Sequence, residues 1–170
     1  MYVSLVITIL GTDKLGLVSS ISEILESHGA NWSESRMSHL AGKFAGILQV
    51  SVNKTDKDAL TASLEALQSK GLKIHIETTQ VSEKKTSKTL NIEILCQDRV
   101  GIINDVTEVL AKLNVNIEEL ESSVKEASMS GGMLFSAELT LGLPEDITAE
   151  AVEDSLEEMS DQLMIDVKLN

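Results

Sequence analysis

One ten-residue stretch occurs twice in this chain. Ile9-Leu10-Gly11-Thr12-Asp13-Lys14-Leu15-Gly16-Leu17-Val18 returns as Ile94-Leu95-Cys96-Gln97-Asp98-Arg99-Val100-Gly101-Ile102-Ile103, at an offset of 85 residues in a chain of 170. In each copy an apolar run ends in a short polar turn, an Asp, a Gly three residues later and then apolar residues at helical spacing, which predicts a strand, a turn and a helix start. At the same offset Glu23 aligns with Glu108, Leu25 with Leu110 and Asn31 with Asn116, so the likeness continues through the helix. A period of this length is too long for a solenoid repeat and suits a small domain, so the chain reads as two copies of one fold.

Within the first copy, Val3, Leu5, Ile7 and Ile9 alternate with Tyr2, Ser4, Val6 and Thr8, the pattern of a half-buried strand. Leu17, Val18, Ile21, Ile24, Leu25 and His28 form the stripe of an amphipathic helix ended by Gly29. Residues 30–40 are a polar strand suited to a sheet edge, and the next strand turns Phe44, Gly46, Leu48, Val50 and Val52 inward. Asp56 is placed to cap a helix carrying Leu60, Leu64 and Leu67, and Leu72, Ile74 and Ile76 line a last strand. The second copy repeats the order: a strand with Leu90, Ile92 and Ile94, a helix with Ile102, Ile103, Val106, Val109, Leu110 and Leu113, and strands near 115–127 and 133–141. Ser128-Met129-Ser130-Gly131-Gly132 joins those two strands, more readily as a hairpin turn than as a phosphate cradle. Pro144 precedes a helix with Val152, Leu156 and Met159, and Leu163, Ile165, Val167 and Leu169 line the final strand.

Strands apolar on one face only place both helices of each copy on one side of its sheet. With right-handed crossovers, β-α-β-β-α-β gives an α+β, ferredoxin-like fold: an antiparallel four-stranded sheet, strands one and three central, two and four at the edges. The expected domains are 1–80 and 90–170, joined by a polar linker over 81–89. Exposed edges invite pairing of copies, within one chain or across a homodimer.

Charge restricts the partners. Residues 1–85 carry nine basic and nine acidic side chains, and residues 86–170 carry five and eighteen, so the whole net charge of −13 resides in the second copy. A nucleic-acid backbone would be repelled by that half and not attracted by the other, and with aromatics at 2% there are no base-stacking platforms. Solubility or a basic protein partner accounts for the acidity. A single cysteine, no basic leader and no apolar run of membrane-spanning length predict a soluble cytoplasmic protein.

Each Asp-x-x-Gly turn delivers the chain onto the first turn of a helix, where unpaired amides and the positive end of the dipole accept an anion. Gly16 and Gly101 would let a ligand approach the backbone, and Asp13 and Asp98 could accept a hydrogen bond from an ammonium group. A carboxylate and an ammonium together describe a free amino acid. Against this stands the plain role of such an Asp as an N-cap and of such a Gly as a turn former. Catalysis finds little support, because Cys96 has no histidine in its own half while His28, His39 and His75 are scattered over three elements. A small structural cysteine is the simpler reading, and no cluster has metal-ligand spacing. Neither an enzyme nor a metalloprotein is expected.

The β-α-β-β-α-β order with Asp-x-x-Gly after the first strand and an Asn opening the second, in Ala30-Asn31-Trp32 and Val115-Asn116-Ile117, resembles the ACT domain, a small-molecule sensor attached to many enzymes of amino-acid metabolism. The resemblance covers nearly the whole chain, with no catalytic domain beside it. It implies a site between paired units, formed by the turn of one and the Asn of the other: Gly11, Asp13 and Gly16 with Asn116, and Cys96, Asp98 and Gly101 with Asn31. The effector it implies is a small amino acid, glycine or serine. Gly11-Thr12-Asp13-Lys14-Leu15-Gly16 and Glu34-Ser35-Arg36-Met37 are similar to free-standing tandem members of the family that repress glycine cleavage transcription. Such a regulator is expected to act through a protein partner, a DNA-binding transcriptional activator, without touching DNA. A homodimeric interaction protein of the same fold that senses nothing is the alternative.

Overall fold

Alternation of aliphatic and polar side chains produces the first strand, β1 (Tyr2–Thr12), and the inward face continues to Gly11 at its end. The computed structural model describes residues 1–79, 88–126, 132–159 and 164–169, the last stretch as backbone only. Its contacts divide the chain into two units, Met1–Glu83 and Lys84–Asn170.

In the first unit β1 is followed by α1 (Leu17–Ser27), β2 (Asn31–Leu40), β3 (Lys43–Asn53), α2 (Lys57–Glu65) with a 3₁₀ turn over Ala66–Lys70, and β4 (Leu72–Thr79). The strands pair antiparallel in the order β2-β3-β1-β4. Leu5, Ile7 and Ile9 of β1 and Leu48, Val50 and Val52 of β3 face Ile21 and Leu25 of α1 and Leu60 and Leu64 of α2, all essentially without solvent exposure. Each such side chain contributes about 1.5–3 kcal/mol when buried, so aliphatic packing holds the unit without aromatic mass. His28 ties the two helices, its Nδ1 lying 2.9 Å from the carbonyl oxygen of Ile24 and its Nε2 3.2 Å from Ser63 Oγ.

The second unit repeats the plan with β5 (Lys88–Gln97), α3 (Ile102–Lys112), β6 (Asn116–Glu126), β7 (Met133–Leu143), α4 (Ala149–Met159) and β8 (Met164–Leu169), in the sheet order β6-β7-β5-β8. Leu90, Ile92, Ile94, Leu139 and Leu141 pack against Val106, Leu110, Val152 and Leu156. Where α1 ends in Gly29 at φ 61°, α3 ends with Asn114 at φ 54°, and in both the following amide returns to the helix, Ala30 to Leu25 and Val115 to Leu110 at 2.9 Å. Asn substitutes for Gly there because its short polar side chain tolerates the left-handed region.

Three expectations are corrected. Val18 is 43% exposed because it lies on the solvent margin of the α1 stripe. Asp56 occupies the N-cap position of α2 without capping it, its carboxylate accepting instead from Thr55 Oγ1 at 3.2 Å. Lys88 and Thr89, expected in the linker, already pair with Leu143 and Gly142, since backbone pairing carries β5 past its hydrophobic pattern. Pro144 does precede α4, and Thr148 Oγ1 supplies the cap by accepting the Ala151 N–H at 3.2 Å. The linker stretch 81–87, the connection at 128–131 and Leu163 lie outside the described residues, as do the side chains of Ile165, Val167 and Leu169.

The open faces of the sheets differ in charge. In the second unit Glu138 of β7 lies directly opposite both Glu93 of β5 and Glu121 of β6, and Asp166 of β8 is in register with Glu93. The corresponding row of the first unit is Arg36, Ile47, Thr8 and His75. Like charges directly across a ladder are unfavourable, and salt screens them. Glu138→Gln is therefore expected to stabilise the second unit by about 0.5–1 kcal/mol at low ionic strength. Urea melts at rising salt check this, and a gain that does not shrink with salt contradicts the electrostatic origin.

Candidate functional site

Both duplicated turns are built alike. The Asp13 N–H donates to the Gly42 carbonyl at 3.0 Å and the Asp98 N–H to the Met133 carbonyl at 2.8 Å, which ties each turn to the strand pair beside it. The chain then reverses through Gly16 (φ 84°, ψ 5°) and Gly101 (φ 95°, ψ −2°), each the N-cap residue of its helix. A side chain with a Cβ is strained in that region, so glycine is needed for the turn itself.

This placement decides what the two aspartates are not. Asp13 and Asp98 sit three residues ahead of the N-cap, and neither helix has a side-chain cap. The first intrahelical bonds run from Ser20 N–H to Gly16 O and from Asp105 N–H to Gly101 O, both 2.9 Å. Leu17, Val18 and Ser19, like Ile102, Ile103 and Asn104, thus present amides without intrahelical acceptors at the positive end of a helix. Asp13 and Asp98 are exposed in the turns that lead into these helix starts. An anion can be received by the amides and a cation by the carboxylate.

At the tip of each turn stands an apolar residue wholly in solvent, Leu15 and Val100. Their signal in the sequence is an apolar side chain inside a polar turn, recurring at the repeat offset.

The turns diverge in what surrounds the glycine. Above Gly16 a Cβ would meet nothing within 4 Å, whereas above Gly101 it would meet Arg99 Nη1 at 3.8 Å and Asp105 Oδ1 at 4.0 Å. Arg99 and Asp105 form an ion pair of 2.7 Å, and Arg99 also donates to the Val100 carbonyl at 3.3 Å. Their counterparts at the repeat offset are Lys14 and Ser20. An ion pair this open to solvent contributes up to about 1 kcal/mol, but it fixes where the guanidinium and carboxylate lie.

Gly11 and Cys96 lie beneath the turns and face the core. A Cβ on Gly11 would fall 2.7 Å from Leu72 Cδ2 and 3.2 Å from the Gly71 carbonyl oxygen, so its smallness admits β4. Cys96 is 7% exposed within the second core, and burial pushes its thiol above the ordinary value of 9.0, the Arg99 charge opposing and the Asp98 charge adding to that shift. A thiol kept protonated at neutral pH is a poor nucleophile.

Asn31 and Asn116 are not brought to their own turns. Asn31 is in register with Ser51 and, through it, Ser4, while the turn leaves β1 at Thr12. Eight residues of strand, about 27 Å, separate the two levels. Asn116 likewise lies level with Thr89 while its turn leaves β5 at Gln97. A separate shallow depression of about 180 Å³ on the open face of the first sheet is lined by Val6, Glu34, Ser35, Arg36, Ile47, Leu48 and Gln49. It sits at mid-strand on the side away from the helices, so it belongs to neither turn. Among the described residues no three His, Cys, Asp or Glu side chains gather to hold a metal, and no helix is long and apolar enough to cross a membrane.

Comparison with known proteins matches residues 4–77 and residues 90–156 each to a family described as the ACT domain. The chain is 24% identical over 171 residues to a protein of Escherichia coli strain K12 named glycine cleavage system transcriptional repressor, covering 98% of this chain and 88% of that one. A crystal structure of an unknown protein from Galdieria sulphuraria is similar at 29% identity and a TM-score of 0.85, covering 99% of this chain and 98% of the other. A second crystal structure, of a candidate glycine cleavage system transcriptional repressor, shares the fold at 19% identity and a TM-score of 0.72, covering 100% and 99%.

Gly11→Ala is expected to destabilise the first unit by about 1–3 kcal/mol, read from its urea midpoint, because the added methyl must displace Leu72. For Cys96, a folded-state pKa above the unfolded one makes the native state hold its proton longer, so stability falls as pH rises past about 9. Urea midpoints between pH 8 and 10 should fall more steeply for the natural protein than for Cys96→Ala. Equal slopes would show that burial of the thiol has no such effect.

Proposed function

This chain belongs to the ACT-domain family, with one copy of the domain in each unit, and from that premise we propose that it is a regulatory protein that senses a small amino acid. The observation that carries the reading is the uncapped helix start behind a left-handed glycine, with an exposed aspartate three residues upstream. The α-carboxylate of the ligand is received by the amides of Leu17, Val18 and Ser19, and its ammonium by Asp13. Gly16 keeps the approach open, and Gly11 shapes the floor from below. In the second unit Asp98 and Gly101 hold the same positions over Cys96. Each unit keeps its turn and its Asn at opposite ends of the sheet, so a site that uses Asn31 or Asn116 with a turn draws on two copies of the fold.

Glycine or serine is the expected ligand, and likeness along nearly the whole chain to a named repressor supports a role in repressing glycine cleavage transcription. The repression works through a protein, a DNA-binding activator. The opposed carboxylates Glu121, Glu138 and Glu93 on the open face of the second sheet make that face repulsive to a nucleic-acid duplex. The amino acid governs the contact only to the extent that it binds better to one arrangement of the protein than to another.

A thermal-shift panel of free amino acids tests the sensor. A ligand at about 100 times its Kd adds roughly 2.7 kcal/mol of stability. Glycine or serine should shift the melting temperature selectively, and Asp13→Ala should weaken that response at least about tenfold, the value of one charge-assisted contact, with the fold intact. A flat panel at millimolar concentration would leave the non-sensing homodimer as the better account. Affinity for a purified glycine cleavage activator, measured with and without glycine, tests the relay; equal affinities would sink it.

A further inference from the structure

The two turns share a backbone and differ in one contact, and that contact lies over the glycine where a ligand would arrive. Above Gly101 the guanidinium of Arg99 and the carboxylate of Asp105 meet at 2.7 Å, with their nearest atoms 3.8 and 4.0 Å from where a Cβ would stand. Above Gly16 that space is empty. Among the described residues Lys14 makes no ion pair, and Ser20 brings no charge to the first turn of α1. Asp105, by contrast, is an acid in the first turn of α3. A carboxylate already in that first turn offsets the positive end of the helix without bonding its amides, and it repels a second one.

We infer that the second unit is closed by its own residues: Asp105, held by Arg99 beside Gly101, sets a negative charge where a ligand carboxylate would arrive, and the chain takes one amino acid, at the Asp13–Gly16 turn. This rests on the reading that the turn receives the carboxylate, and it adds which of the two turns is open. The duplication then has unequal roles, one copy responsive and the other not. The clasp also predicts exchange of function between the copies. Replacing Arg99 and Asp105 by their first-unit counterparts should open the second turn, and the reverse exchange should close the first.

Equilibrium dialysis with labelled glycine, and in parallel labelled serine, counts the sites on the full chain. One equivalent per chain is expected for the natural protein, with affinity lowered at least about tenfold in Asp13→Ala and kept in Asp98→Ala. The double variant Arg99→Lys with Asp105→Ser should bind two, and Asp105→Asn, a milder change, should raise occupancy above one. Lys14→Arg with Ser20→Asp should lower affinity tenfold or more. Circular dichroism establishes that each variant is folded. Two equivalent sites in the natural protein, or an opened double variant that still binds one, would overturn the closure while leaving the sensor standing. Binding of neither amino acid by the natural protein would overturn the sensor reading itself, and the closure with it.

Discussion

One-sided burial of aliphatic side chains is the constraint on which everything else here depends. Every strand must turn its apolar residues to the same side, because only there do two helices exclude water, and with two Phe, one Tyr and one Trp in 170 residues few large rings are available to fill gaps, Phe135 being the one buried in the described core. Leu, Ile and Val therefore interdigitate at close range, and small positions acquire structural meaning. Gly11 is small because Leu72 needs its space. At the same position in the second unit a thiol fits against a different neighbourhood.

The same burial fixes where chemistry can occur. With one face of each sheet sealed by helices, polar backbone becomes accessible where a central strand hands the chain to its first helix. A left-handed glycine there starts the helix without a side-chain cap, and so leaves three amides unclaimed by the chain. The turn that folding requires is for that reason also a place where an anion can bind. The two turns differ in what stands around them: an open space over the glycine in one copy, a clasped arginine and aspartate in the other.

Charge separates the two copies further. The row Glu121, Glu138 and Glu93 crosses adjacent strands of the second sheet, where the first carries Arg36, Ile47 and Thr8. Such a row is tolerated because it lies on the face that no helix covers, where water and salt weaken the repulsion. Equal backbones thus carry unequal surfaces.

By itself the sequence determined the duplication, the element order, the sheet topology and most core residues outside β7, since these follow from periodicities of two and 3.6 that burial imposes on each copy. It also located the turns, because Asp-x-x-Gly after an apolar strand recurs at a fixed offset. Only the tertiary structure decided what the turn residues do. That Asp13 is no cap, that Thr148 and not Asp56 caps its helix through a side chain, and that Asn31 lies about 27 Å along the sheet from its own turn are consequences of backbone direction and register. The clasp of Arg99 on Asp105 was equally hidden. Six positions apart across a turn into a helix, the two residues meet only because Gly101 takes a left-handed conformation and folds the arginine back over the helix start.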